Sequence, residues 1–221
     1  MRTVAVIDSY LAHTETGEGE TPVVFLHGSP TSSHIWRNVI PHVADRARVL
    51  AAELPQEVID HSRALRTPGL GERLLLEENA AIEYALPHPF AVKTGLSPQD
   101  HDVYRAPYPD PASRRPLLQW PREIPYDREP ADVAERMDAY GVWLATSPEV
   151  PKLLLTVEDG VGIASPQIVD WARRNIAALE VEDIGPAGHQ APEDQPHAIG
   201  RAVAGWLDRH RLLAPASSSR T

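Results

Sequence analysis

Apolar residues along this chain fall into short blocks whose spacing changes from one block to the next. Residues 2–8 and 10–14 are two short segments that can pair as an antiparallel hairpin, with GEGETP as the loop behind them. The run VVFL at 23–26 is continuous, rich in β-branched residues and bounded by Pro22 and Gly28. It predicts a strand buried on both faces, as in a parallel sheet. Ser32 or Ser33 is placed to cap a helix running to about Val43, and RVLAAEL at 48–54 is the next strand. This strand, helix, strand order predicts an α/β protein.

Residues 56–66 and 71–86 then carry helical patterns, and 87–130 is dense in proline. Prolines at 87, 89, 98, 107, 109, 111, 116, 121, 125 and 130 forbid long helices and central strands there. Tyr104, Tyr108, Leu117, Leu118 and Trp120 lie among them, which predicts an ordered, docked segment of short helical turns and extended connections. Helical periodicity returns at 131–145 through Val133, Met137, Tyr140, Val142 and Leu144. A second buried strand follows at 152–158. Ser165 and Pro166 open a helix to Leu179, a last strand spans 179–185, and an amphipathic helix runs from about Pro196 to His210. The tail at 212–221 is small and polar and is expected to fray.

Composition narrows the function. The chain has 221 residues, is 42% hydrophobic and can bury a sizeable core. Its net charge of −10 disfavours nucleic acid and anionic membrane as partners. With no cysteine, disulfides, thiolate nucleophiles and Cys-ligated metals are excluded, and no cofactor is expected. The apolar run before Asp8 is too short for a signal sequence, and no later run approaches the ~18 residues of a membrane span, so a soluble, cytoplasmic protein is expected.

Several stretches together resemble the haloalkane dehalogenase family of the α/β-hydrolase fold. They are DSYLAH at 8–13, VVFLHGSPTSSHIWRNVIPHVAD at 23–45, LRTPGLGERLLLEENAAIEYALP at 65–87, YRAPYPDPASRRPLLQWPREIP at 104–125, YGVWLATSPEVPKLLLTVE at 140–158 and GPAGHQAPEDQPHAIGRAVAGWL at 185–207. The resemblance implies a mostly parallel sheet with flanking helices and a helical cap. It divides the chain into an N-terminal part of the core at 1–55, a cap-like helical and Pro-rich segment at 56–130, a C-terminal part of the core at 131–211 and the tail. The family reaction is hydrolytic cleavage of a carbon–halogen bond through an ester intermediate, with a small apolar molecule such as a halogenated alkane as substrate.

In that pattern the His27-Gly28 turn offers the backbone N–H of Ser29 to a developing oxyanion, and His189, in a Gly-containing turn after the last strand, is the base. Ser29 replaces the Asn that binds the halide. The acid that orients the base has two candidates, Glu158 and Asp159. The nucleophile is missing. An elbow reads G-x-nucleophile-x-G between a strand and a helix, and no such pattern centred on Asp or Ser occurs in the chain. The sequence passes from Leu54-Pro55 straight into QEVIDHSRALRTPG, where the family continues with the nucleophile strand and its neighbours. Glu53, Asp60, His61 and Ser62 are the groups nearest to where a replacement should stand.

The expectation is therefore a dehalogenase scaffold without its central strands, inactive or severely impaired. Two other readings stay open: a non-catalytic protein that binds an apolar ligand or a partner, and an esterase-like hydrolase with a displaced nucleophile. With the central strand gone, the strand at 23–26 must pair with that at 152–158, or leave a gap that a homodimer would fill. Otherwise the monomer should be marginally stable.

Overall fold

The structure, a computed structural model, describes residues 2–6, 9–28, 31–52, 65–158 and 165–213. Strand β1 (Arg2–Val6) pairs antiparallel with β2 (Ser9–Thr16), so the expected hairpin forms. β2 pairs antiparallel with β4 (Arg48–Ala52), which pairs in parallel with β3 (Pro22–Leu26). The order β1-β2-β4-β3 leaves β3 at an edge among the described residues. A separate two-stranded sheet joins β5 (Lys152–Glu158) in parallel to β6 (Leu179–Pro186). The architecture is α/β with a mixed sheet. Among the described residues the pairing of β3 with β5, one of the two expected outcomes, does not form.

The edge position corrects one expectation about β3. Phe25 is 7% exposed, but Val24 and Leu26 are 53% and 57% exposed, so the strand is buried on one face only. A continuous apolar run signals burial on both faces only where both faces are covered. Its buried face joins the main core, in which Phe25, Val39, Val43, Val49 and Ala51 meet Ile184 of β6. Ile199 and Leu207 of the last helix close it, with Leu155 and Val157 of β5 packed alongside. Both sheets thus share one core without sharing a ladder.

The segment after β3 is tighter than an α-helix. Ser32 caps a 3-10 turn, Ser33–Trp36, through the N–H of His34 at 3.3 Å, and a second 3-10 turn spans Ile40–His42. Pro41 has no N–H to add to the ladder there, and Val39, Ile40 and Val43 combine core packing with short-range backbone bonds, Val39 N–H to Trp36 at 2.9 Å and Val43 N–H to Ile40 at 3.0 Å. The pattern at 71–86 becomes two π-type turns, Glu72–Glu77 and Ala81–Ala85, separated by Asn79 at φ +52°.

Short helices α1 (Pro98–Arg105) and α2 (Arg115–Glu123) occupy the Pro-rich segment, as its prolines require. Tyr104, Tyr108 and Leu117 from this segment pack with Ile82 and Leu86 into a second core that rests on Ile35. Trp36 touches both cores, so the turn after β3 is the hinge piece between cap and base.

Helix α3 (Ala131–Thr146) forms where its periodicity places it, but its apolar face is not covered. Met137, Tyr140, Val142 and Trp143 are all about half exposed or more, and Ala134 is its buried residue. Helices α4 (Pro166–Asn175), α5 (Ala191–Asp194) and α6 (Pro196–Arg209) complete the chain. Among the described residues no helix is long and apolar enough to cross a membrane.

Candidate active site

The HG turn ends β3. His27 is buried and its Nδ1 lies 3.1 Å from the Gly28 carbonyl, which makes Nδ1 the protonated nitrogen of that contact. The same carbonyl accepts the Thr31 N–H at 3.0 Å, closing the turn onto the cap of the first 3-10 segment. Ser29, expected to supply the oxyanion N–H, lies outside the described residues, as do Asp159 and the segment holding Glu53, Asp60, His61 and Ser62. Glu158, the other candidate acid, is the exposed last residue of β5 and stands in register with Pro186, three residues before His189.

His189, the base that the resemblance implies, lies between the end of β6 and the start of α5. Its backbone N–H donates to the Phe90 carbonyl at 2.9 Å, and the Gln190 N–H donates to Ala91 at 2.8 Å. Gly188 makes this approach feasible, because a Cβ there would meet the Ala91 and Phe90 carbonyl oxygens at 2.6 and 2.8 Å. The base turn is therefore tied to the cap by backbone contacts.

A cluster of ionisable groups that the sequence does not reveal joins the base turn to the HG side. Arg37 donates to both carboxylate oxygens of Glu193, at 2.8 and 2.9 Å, and the Tyr104 hydroxyl donates to the same carboxylate. Asp100 lies 2.7 Å from Nε2 of His34 and 3.2 Å from Arg37, and it accepts the Ser97 hydroxyl at 2.6 Å. The hydrogen bond to Glu193 raises Arg37 above its ordinary range against the effect of burial. Burial and then Glu193 push the Tyr104 phenol up. Arg37 stays charged and Tyr104 stays a donor. Three separate elements, the turn after β3, cap helix α1 and helix α5 behind His189, meet at this one point.

The pair 34 and 37, the pair 100 and 104, and residue 193 are too far apart in sequence for any spacing rule to link the three. The one available signal is a pair of acids, Glu193 and Asp194, in the first turn of a helix, and that signal says only that a helix begins. Among the described residues no group of three or more His, Asp or Glu could hold a metal ion. The described residues thus bring together the turn after β3, helix α1 and helix α5, which follows His189, and no nucleophile is identified among them.

No family model matches the chain. Individual proteins do. It is 32% identical over 283 aligned residues to a haloalkane dehalogenase of Mesorhizobium japonicum, covering 92% of this chain and 90% of the relative. It is 31% identical to a haloalkane dehalogenase of Bradyrhizobium diazoefficiens, covering 97% and 96%. Among solved structures, an ancestral haloalkane dehalogenase superposes with a TM-score of 0.86 at 31% identity, covering 96% of this chain and 100% of that one. The haloalkane dehalogenase DbeA from Bradyrhizobium elkani gives 0.85 at 29%, covering 96% and 98%. These likenesses cover 92–97% of this chain. The fold is α/β-hydrolase-like with fewer strands than those relatives carry, and the chain belongs to the haloalkane dehalogenase family.

Proposed function

We propose that this chain is a haloalkane-dehalogenase scaffold that has lost the nucleophile elbow and the acid-bearing strand, and that it releases halide slowly or not at all. One observation carries the proposal: no G-x-Asp-x-G or G-x-Ser-x-G elbow exists anywhere in the sequence. Two others support it. The aligned span with the Mesorhizobium relative is 283 residues against 221 in the whole chain, so at least 62 of its positions face no residue here. Strand β3, which a central strand would flank, stands at an edge among the described residues.

In this reading 1–55 and 131–211 are the two parts of the core and 56–130 is the cap. His189 is the surviving base, the Ser29 N–H is the oxyanion donor, and Glu158 or Asp159 is the group available to orient the base. A base and a donor without a nucleophile leave no atom to displace the halide. Removing a nucleophile alone costs about 10⁴ to 10⁶ in rate. Halide release from brominated alkanes is expected to stay at background for the chain and for His189→Ala alike. Turnover that His189→Ala abolishes would overturn the proposal.

A second reading has its own support in the uncovered apolar positions of β3 and α3. Such surface suits an apolar ligand or a second copy of the chain that fills the gap. Saturable binding of an apolar dye without turnover, unchanged by His189→Ala, supports the ligand. A concentration-dependent dimer in sedimentation supports the second copy.

A further inference from the structure

The geometry points to an orienting device for His189 that comes from the cap: the Phe90 ring sets the plane of the imidazole, and Asp194 holds the strap that carries Phe90. The inference rests on the reading of His189 as the surviving base.

Phe90 and His189 are stacked, with ring centroids 6.0 Å apart and planes only 10° from parallel. Parallel stacking at this distance fixes the orientation of a ring without supplying or taking a proton. The strap at 90–94 is held by one carboxylate. Asp194 accepts from the Gly188 N–H at 2.7 Å, from the Lys93 N–H at 2.9 Å, and from the N–H and hydroxyl of Thr94, both at 2.7 Å. It therefore bonds the residue before His189 and two residues of the strap at once. With the backbone bonds from His189 to Phe90 and from Gln190 to Ala91, strap and base turn form one laced unit.

Burial tends to raise the Asp194 carboxyl, and the N–H groups of Gly188, Lys93 and Thr94 outweigh it, so it stays ionised. Phe90 is about half exposed, so packing alone does not require an aromatic side chain there. Its place over the imidazole does. Phe90 and Asp194 are positioning residues that act through His189.

The test uses the intact chain labelled at histidine, with the His189 signals assigned through His189→Gln. In the parent protein the His189 ring protons are expected upfield of the free-histidine position, from the ring current of the stacked phenyl. Phe90→Ala should remove that shift and broaden the ring signals into rotamer averaging, and Phe90→Tyr should restore both. Asp194→Asn should speed amide exchange at His189 and Gln190 by about ten- to a hundred-fold, as expected for loss of hydrogen bonds to a charged acceptor. Amides of β2 and β4 should not change in any variant. Unchanged His189 ring signals in Phe90→Ala, or unchanged exchange at His189 in Asp194→Asn, would overturn the inference. These readouts are independent of turnover, so they separate this inference from the proposal of inactivity.

Discussion

Glu193 stands at 5% side-chain exposure and answers two donors from different elements, the guanidinium of Arg37 and the hydroxyl of Tyr104. Removing it takes the acceptor from the Tyr104 hydroxyl and leaves Arg37 with Asp100 and the His34 carbonyl. Glu193→Ala is expected to cost about 2–3 kcal/mol in chemical denaturation, and Glu193→Gln less, because the amide oxygen still accepts. The acid limb of stability has a defined sign. Asp100 and Asp194 are each raised by burial and lowered further by their hydrogen-bond donors, for a net shift downward. Groups whose folded pKa lies below the unfolded value add stability above that unfolded value and lose it as pH falls through the folded one. The thermal midpoint should therefore be flat near neutrality and drop below about pH 4, with a shallower drop in Asp194→Asn. At this scale the sequence was only partly legible. The His189 turn could be placed because it follows a strand and a glycine and precedes a helix. Glu193 could not be joined to Arg37, 156 residues earlier, because nothing local records a pairing made by tertiary packing.

Helix α3 and strand β3 show what pattern reading captures at the scale of elements and what it omits. A continuous apolar run places β3 and a helical period places α3 along the chain. Period says which side of an element is apolar and is silent on whether anything covers it. Met137→Gln and Val142→Gln should each shift stability by less than about 0.5 kcal/mol while lowering dye binding to exposed apolar surface. Val43→Ala, fully buried in the main core, should cost roughly 2 kcal/mol in the same denaturation measurement. The 3-10 turns at 33–42 were legible as helical but not as 3-10, because apolar residues at three- and four-residue spacings serve either geometry until Pro41 and the core choose between them. The two π-type turns have no signature in the sequence at all.

For the whole molecule, one core bridging two unjoined sheets means that tertiary packing, rather than a continuous ladder, holds β3 near β5. Scanning calorimetry on the monomer is expected to give a midpoint below the roughly 45 °C at which mesophile domains begin to cluster. A monodisperse monomer with a cooperative transition well above that would show that the gap costs little. The absence of an elbow motif was legible, since it is a property of the string. Its outcome was not, because the choice between re-pairing and separation depends on strand placement in three dimensions.

The division of the core also sets an order of assembly during synthesis. All four strands of the larger sheet lie within the first 52 residues and can pair early, since their contacts are local. Their apolar face is closed by Ile184, Ile199 and Leu207, which follow the end of β4 by 132 residues (184 − 52) or more. At ribosomal speeds about ten to thirty seconds separate the end of β4 from the arrival of α6. During that interval Phe25, Val39 and Val49 face solvent or a chaperone, so premature termination before α6 would yield a sticky sheet rather than a smaller folded protein.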